Sequence, residues 1–181
     1  MSIEHLKTRV PDHAKGLRIN LGVIGSSTAL SVQQAWVIAL ACAASSRNAE
    51  LLAAIRAEAE TKLTPEATGA ALSAAAIMGM NNVYYRFLHM MGTDSEYQQR
   101  PARLRMQVLG RPGVPHLDFE LACLAASAIT GCASCVRSHE QSVRDKGGTH
   151  DQVHDAVRIA AVIHGAAIAL DTSDPAVAAA A

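Results

Sequence analysis

A chain of 181 residues and 19.0 kDa, in which sixteen Lys and Arg balance sixteen Asp and Glu, carries no formal net charge, and half of its residues are apolar. That combination excludes an intrinsically disordered chain, and without a basic excess neither a nucleic-acid binder nor a polybasic membrane-surface protein is expected. Thirty-five alanines against six aromatics point to an all-α fold in one domain, 1–181, whose helices approach through small side chains.

The start, Met1-Ser2-Ile3-Glu4-His5, has no basic segment followed by an apolar stretch, so no signal peptide is expected and the protein is placed in the cytoplasm. The longest charge-free run is 19–46, and its apolar centre, 35–44, is about half of what a spanning helix needs. No membrane segment is expected. Ser31 is positioned to cap a helix reaching about residue 45. Residues 47–62 read as a second helix with Leu51, Leu52 and Ile55 on one face. Thr64-Pro65-Glu66 starts a long third helix, to about residue 89. The stretch 94–116 holds Arg100-Pro101, Arg111-Pro112-Gly113 and Val114-Pro115 and reads as a connector with one short helix around 103–108. Asp118 is expected to cap a helix over 119–130 that stops at Gly131. A new helix starts near Cys132 and ends at Lys146-Gly147-Gly148. Thr149-His150-Asp151-Gln152 fits a capping box for a last helix to about residue 170, and 174–181 is expected to fray.

A weak internal repeat runs through this pattern. Ala74-Ala75-Ala76-Ile77-Met78-Gly79 resembles Ala160-Ala161-Val162-Ile163-His164-Gly165. The same interval sets Thr64-Pro65-Glu66 against His150-Asp151-Gln152, and Ser46-Arg47-Asn48-Ala49 against Cys132-Ala133-Ser134-Cys135. Residues 31–91 and 118–171 read either as two copies of one helical unit, the second alone keeping thiols, or as chance similarity between alanine-rich helices.

Paired cysteines in a reducing compartment are more often catalytic or metal-binding than structural. Cys132, Cys135 and His139 stand at i, i+3 and i+7, on one face of a helix. Two thiols at that spacing can close a disulfide, and the N–H groups of a helix start favour a thiolate. His139, one turn below Cys135, can take a thiol proton. Glu120 is the only acid in an otherwise nearly apolar helix from Phe119 onward, where an unpaired carboxylate is expensive to bury. Its expected partner is His139, directly or through a water, which gives a relay of Glu120, His139, Cys135 and Cys132. Other readings stand beside it: the cysteines as small core residues, half of a zinc site completed by His139 and Glu120, Glu120 as a first-turn acid, and His139 as a solvated helix-face histidine. Which thiol attacks is open, because the helix start favours Cys132 as the more exposed sulfur and the histidine spacing favours Cys135.

Elsewhere, Cys42 and Cys123 read as core fillers and His164 as a core histidine. His89, Met90 and Met91 look structural. Asn81-Asn82 with Tyr84-Tyr85 lines either a cleft or an oligomer interface. Arg100, Arg103, Arg105 and Arg111 form a basic cluster, either solvated or an acidic docking patch.

Phe119-Glu120-Leu121, Ser127-Ala128-Ile129-Thr130-Gly131-Cys132-Ala133-Ser134-Cys135 and His139-Glu140 together resemble the AhpD alkylhydroperoxidases of the carboxymuconolactone decarboxylase-like superfamily. So do the start Met1-Ser2-Ile3-Glu4, the segment from Ala74 to Val83, and Pro112-Gly113-Val114-Pro115. The resemblance implies an AhpD-like helical bundle with a duplicated core, assembled as a homotrimer. It implies alkyl hydroperoxide reduction with electrons from a lipoyl-bearing acyltransferase and dihydrolipoamide dehydrogenase, so that dihydrolipoamide is the reducing co-substrate and no metal, haem or flavin is bound. It also implies a partner peroxiredoxin, AhpC, which the protein re-reduces. By the same resemblance Cys135 is peroxidatic and becomes the sulfenic acid, Cys132 is proton donor and resolving thiol, and Glu120 and His139 form the proton relay. Ser134 departs from the histidine that many relatives carry there. The alternatives are a disulfide reductase or adaptor with little peroxidase activity of its own, and a lactone decarboxylase, against which the thiol pair argues.

Overall fold

Local capping chemistry sets most of the helix boundaries. The computed structural model describes residues 2–173. Three short helices, α1 (Ile3–Arg9), α2 (Gly16–Asn20) and α3 (Val23–Ser26), precede α4 (Val32–Ser46), α5 (Ala49–Ala59), α6 (Pro65–Met91), α7 (His116–Thr130), α8 (Ala133–Asp145) and α9 (His150–Asp171). No strand occurs among the described residues, so the fold is all-α as expected. Ser31 and Gln34 close a reciprocal capping box at the start of α4, and Thr149 and Gln152 do the same for α9. Thr64 caps α6, with Pro65 at the first position, where a missing N–H costs nothing. The expected fraying of 174–181 lies outside the described residues.

Three boundaries differ from the sequence reading. Arg47, at φ 62°, is the left-handed residue that ends α4, and Asn48 caps α5, so α5 begins only at Ala49. Asp118 does not cap α7. The helix already starts at His116 behind Pro115, and the buried Asp118 carboxylate accepts hydrogen bonds from Gln33 Nε2 and Gln34 Nε2, both at 2.8 Å. Its hydrogen-bonding capacity is spent on another helix. The connector holds no α-helix at 103–108: Arg103 sits at φ 52°, outside helical space, and only short 3-10 turns form at Glu96–Gln99 and Gln107–Leu109.

The core centres on α4 and α7. Both are apolar nearly all round, which marks a helix covered on every side. The alanines 35, 39, 41 and 43 of α4 and 122, 125 and 126 of α7 are buried and small, so α6 and α9 close in on both. Phe119, Ile38, Leu40, Leu121, Leu124, Met78, Ile159 and Ile163 fill the remaining space. By length and composition α9 could cross a bilayer; here Ile159, Ile163 and Leu170 lie buried in this core. α5 lies on α4, and α8 lies on α7 and α6. By position in the two helix triplets, Asn48, which caps α5, stands where Cys132 stands before α8. The sequence interval had set Ser46 there.

Candidate active site

The site is built at the turn from α7 into α8. Gly131 takes φ 70°, a conformation that costs a side-chain-bearing residue, and ends α7 with its N–H on the Ala128 carbonyl and the Cys132 N–H on that of Ser127, both 3.2 Å. The chain then turns back, and Cys132, in extended backbone, becomes the cap of α8. Its sulfur accepts the Cys135 backbone N–H at 3.3 Å. Cys132 and Cys135 form a disulfide with Cα atoms 5.3 Å apart. Ser134 Oγ lies 3.5 Å from the Cys132 sulfur.

The expectation that Cys132 is the more exposed thiol is overturned. Cys132 is 0% exposed, whereas Cys135 is 7% exposed and lines a cavity of about 740 Å³. The capping role explains this, because it turns the Cys132 sulfur inward onto the helix's own N–H.

One turn further on, His139 Nδ1 lies 2.7 Å from Glu120 Oε2. Both side chains are largely buried, so Glu120 has the partner its burial demands. Glu120 Oε1 also lies 3.9 Å from Lys146 Nζ, at the far end of α8. The other imidazole nitrogen, Nε2, lies 3.1 Å from the Met78 sulfur of α6. A thioether carries no proton, so the sulfur can only accept there, and Nε2 is free to take up a proton when Nδ1 carries the one that faces Glu120. Behind it, Ser127 Oγ lies 3.3 Å from the same sulfur and donates to Asn82 Oδ1 at 3.1 Å, while Asn82 Nδ2 donates to Thr130 Oγ1 at 2.7 Å. This buried chain ties α6 to the end of α7, immediately before the Gly131 turn.

The remaining thiols take no part. Burial pushes the Cys42 thiol far up, and burial together with the negative charge of Glu120 does the same to Cys123. Both stay protonated core fillers. Asn81, Tyr84 and Tyr85 border the cavity, as do His89 and Arg100, whereas Asn82 belongs to the buried chain. Arg103, Arg105 and Arg111 are exposed. His164 is half-buried, with Nδ1 3.4 Å from Ser46 Oγ. Met78 and Lys146 are the residues that sequence reasoning missed. Lys146 could have been flagged as the cation closing α8, the helix that carries His139; nothing in the spacing of Met78 points to a histidine on another helix.

The connector from Ser95 onward, α7, α8 and α9 fall within residues 95–178, which match the carboxymuconolactone decarboxylase family. Alkyl hydroperoxide reductase AhpD of Methylocella silvestris is 52% identical over 173 residues, 96% of this chain and 97% of that protein. The chain belongs to the AhpD family. AhpD of Gluconacetobacter diazotrophicus is 54% identical over 171 residues, 94% of this chain and 93% of the relative. AhpD of Rhodospirillum centenum is 51% identical over 171 residues, covering 94% and 91%. The likeness to AhpD proteins therefore takes in nearly the whole chain and not the cysteine turn alone.

Proposed function

We propose that the protein reduces alkyl hydroperoxides through the Cys132–Cys135 pair. The observation that carries this reading is the position of Cys135: the one member of a redox-active pair to line the large cavity, one turn from a histidine held by a buried carboxylate, in a chain half identical to proteins named alkyl hydroperoxide reductase. In the reduced enzyme Glu120 orients His139, which takes the Cys135 proton. The thiolate attacks the terminal peroxide oxygen and the O–O bond breaks. The alkoxide leaves as alcohol with that proton, and Cys135 becomes a sulfenic acid. The sulfur of Cys132, on which the first-turn N–H groups of α8 stabilise negative charge, attacks the Cys135 sulfur. The S–O bond breaks, hydroxide leaves as water with the second thiol proton, and the disulfide closes. A dithiol then restores the pair by exchange and is itself oxidised. Cys135 is thus the peroxidatic residue and Cys132 the proton-donating, resolving one.

The dithiol we propose is dihydrolipoamide, carried by an acyltransferase and regenerated by dihydrolipoamide dehydrogenase, in the cytoplasm. AhpC is proposed as a disulfide substrate of the same centre. A partner thiol would meet Cys135 first, since Cys132 is buried. Assembly as a homotrimer is proposed on the family resemblance. What supports association is the solvent-facing row Val83, Phe87, Met90 and Met91 on α6, where Met90 is 74% exposed.

The test is NADH oxidation in the presence of an alkyl hydroperoxide, lipoamide and dihydrolipoamide dehydrogenase, comparing wild type with Cys135→Ser. Turnover that falls to background in the variant is expected. Wild-type protein that consumes no peroxide, or a variant that keeps full turnover, would overturn the reading.

A further inference from the structure

Asn81 is 6% exposed, and its Oδ1 is the one buried side-chain nitrogen or oxygen without a hydrogen-bond partner among the described residues. Leaving a buried amide oxygen unpaired costs its lost hydration, and native structures rarely tolerate it without a use. Loose packing does not explain it, because the next residue, Asn82, has both ends of its amide satisfied. Asn81 lies one turn along α6 from Met78, whose sulfur touches His139, and it lines the cavity together with Cys135 and His139. None of these neighbours supplies a donor in the disulfide state. The two sulfurs carry no proton, and the His139 nitrogens are directed at Glu120 and Met78. Among the described residues no donor reaches this oxygen, so the O–H of a ligand or of an ordered water in the cavity is left to supply one.

We infer that Asn81 is a further catalytic residue, whose amide oxygen accepts the O–H of the hydroperoxide and so holds the terminal oxygen against Cys135. An alkyl hydroperoxide brings one O–H, and it sits on the oxygen that the thiolate attacks. When the O–O bond breaks, that hydrogen stays on the oxygen now bound to sulfur, so the same acceptor serves the substrate and then the Cys135 sulfenic acid. The contact fixes which peroxide oxygen faces the sulfur and directs the alkyl group outward, toward Tyr84, Tyr85 and Leu88. It also makes Asn81 selective between half-reactions: dithiol exchange at the disulfide involves no oxygen and gains nothing from this acceptor.

This assignment rests on the peroxidase reading, and the experiment separates the two. Reduced wild type, Asn81→Leu and Asn81→Ala are mixed with tert-butyl hydroperoxide, and disulfide formation is followed by rapid quench. The oxidised forms of the same samples are then mixed with dihydrolipoamide. The peroxide step is expected to slow about tenfold in both variants, the scale of one lost hydrogen bond, while the dithiol step stays within about twofold of wild type. Peroxide steps equal to wild type in the folded variants, or both steps falling together, would overturn the role of Asn81. Failure of the peroxidase reading would show instead as a wild-type protein that peroxide does not oxidise. The alanine variant guards against misfolding caused by the larger leucine, and circular dichroism confirms that each sample is folded.

Discussion

The turn from α4 into α5 and the turn from α7 into α8 use one backbone device with opposite results. In each, a left-handed residue ends the first helix, Arg47 at φ 62° and Gly131 at φ 70°. In each, the next side chain caps the second helix by accepting the N–H three residues on: Asn48 Oδ1 from Leu51 at 2.7 Å, Cys132 Sγ from Cys135 at 3.3 Å. The first turn is sealed. Asn48 also binds Asp171 of α9, and Leu51 and Ile55 below it are fully buried aliphatics. At the second, the positions below the cap are Cys135 and His139, and the cavity opens beside them. The two turns share a shape and differ in what stands on it: sulfur in place of oxygen at the cap, with a histidine further along the second helix.

The strongest way to break the comparison is to give the second turn the first one's cap. Cys132→Asn should leave the helix start intact, since asparagine is among the best capping residues, yet abolish disulfide closure and lower peroxide turnover by about 10³-fold or more. Circular dichroism and the NADH-coupled assay read both halves of this expectation. A smaller effect lies in the left-handed residues. Gly131→Ala places a side chain where φ is positive and should cost about 1 kcal/mol, whereas Arg47→Gly relieves the same conformation and should stabilise by a few tenths of that. Nothing lies within 4 Å of a Cβ at Gly131, so the effect is conformational and not steric. Urea unfolding of the two variants should move in opposite directions.

The smallest effect lies away from both turns, near the start of α9. Asp155 of α9 is held below the ordinary carboxylate range by the Ser27 hydroxyl at 2.6 Å and by Arg158 at 2.8 Å. A lowered value in the folded state means that this stabilisation is fully present above the unfolded-state value and is lost as pH falls through the folded one. Wild type should therefore melt above Asp155→Asn at pH 7, and the gap should close as the pH is taken below about 4. A gap that widens in acid would show that the carboxylate is not favoured by folding.

What was legible in the sequence was local or periodic. Ser31 with Gln34, Thr149 with Gln152, and Thr64 before Pro65 each satisfy their own helix, so their meaning is contained in a few adjacent residues. The cysteine, cysteine, histidine face was legible from its spacing, and Glu120 because burying charge requires a partner and it was the one acid from Phe119 onward in an apolar helix. What escaped was spent across the fold. Asp118 looks like a cap until Gln33 and Gln34 claim it; Met78 looks like any core methionine until His139 arrives from another helix; Asn81 looks the same whether or not its amide finds a partner. Cys132 was expected to be the more open sulfur, because a helix start alone does not say that the sulfur turns back onto the first turn.

In the cycle proposed for this protein, that inward turn makes a single atom both anchor α8 and exchange electrons. Under that proposal, the N–H contact at Cys135 strengthens and weakens as the sulfur passes between thiolate and disulfide. The chemical shift of that one amide proton is therefore a built-in gauge of oxidation state, legible by nuclear magnetic resonance without any added label.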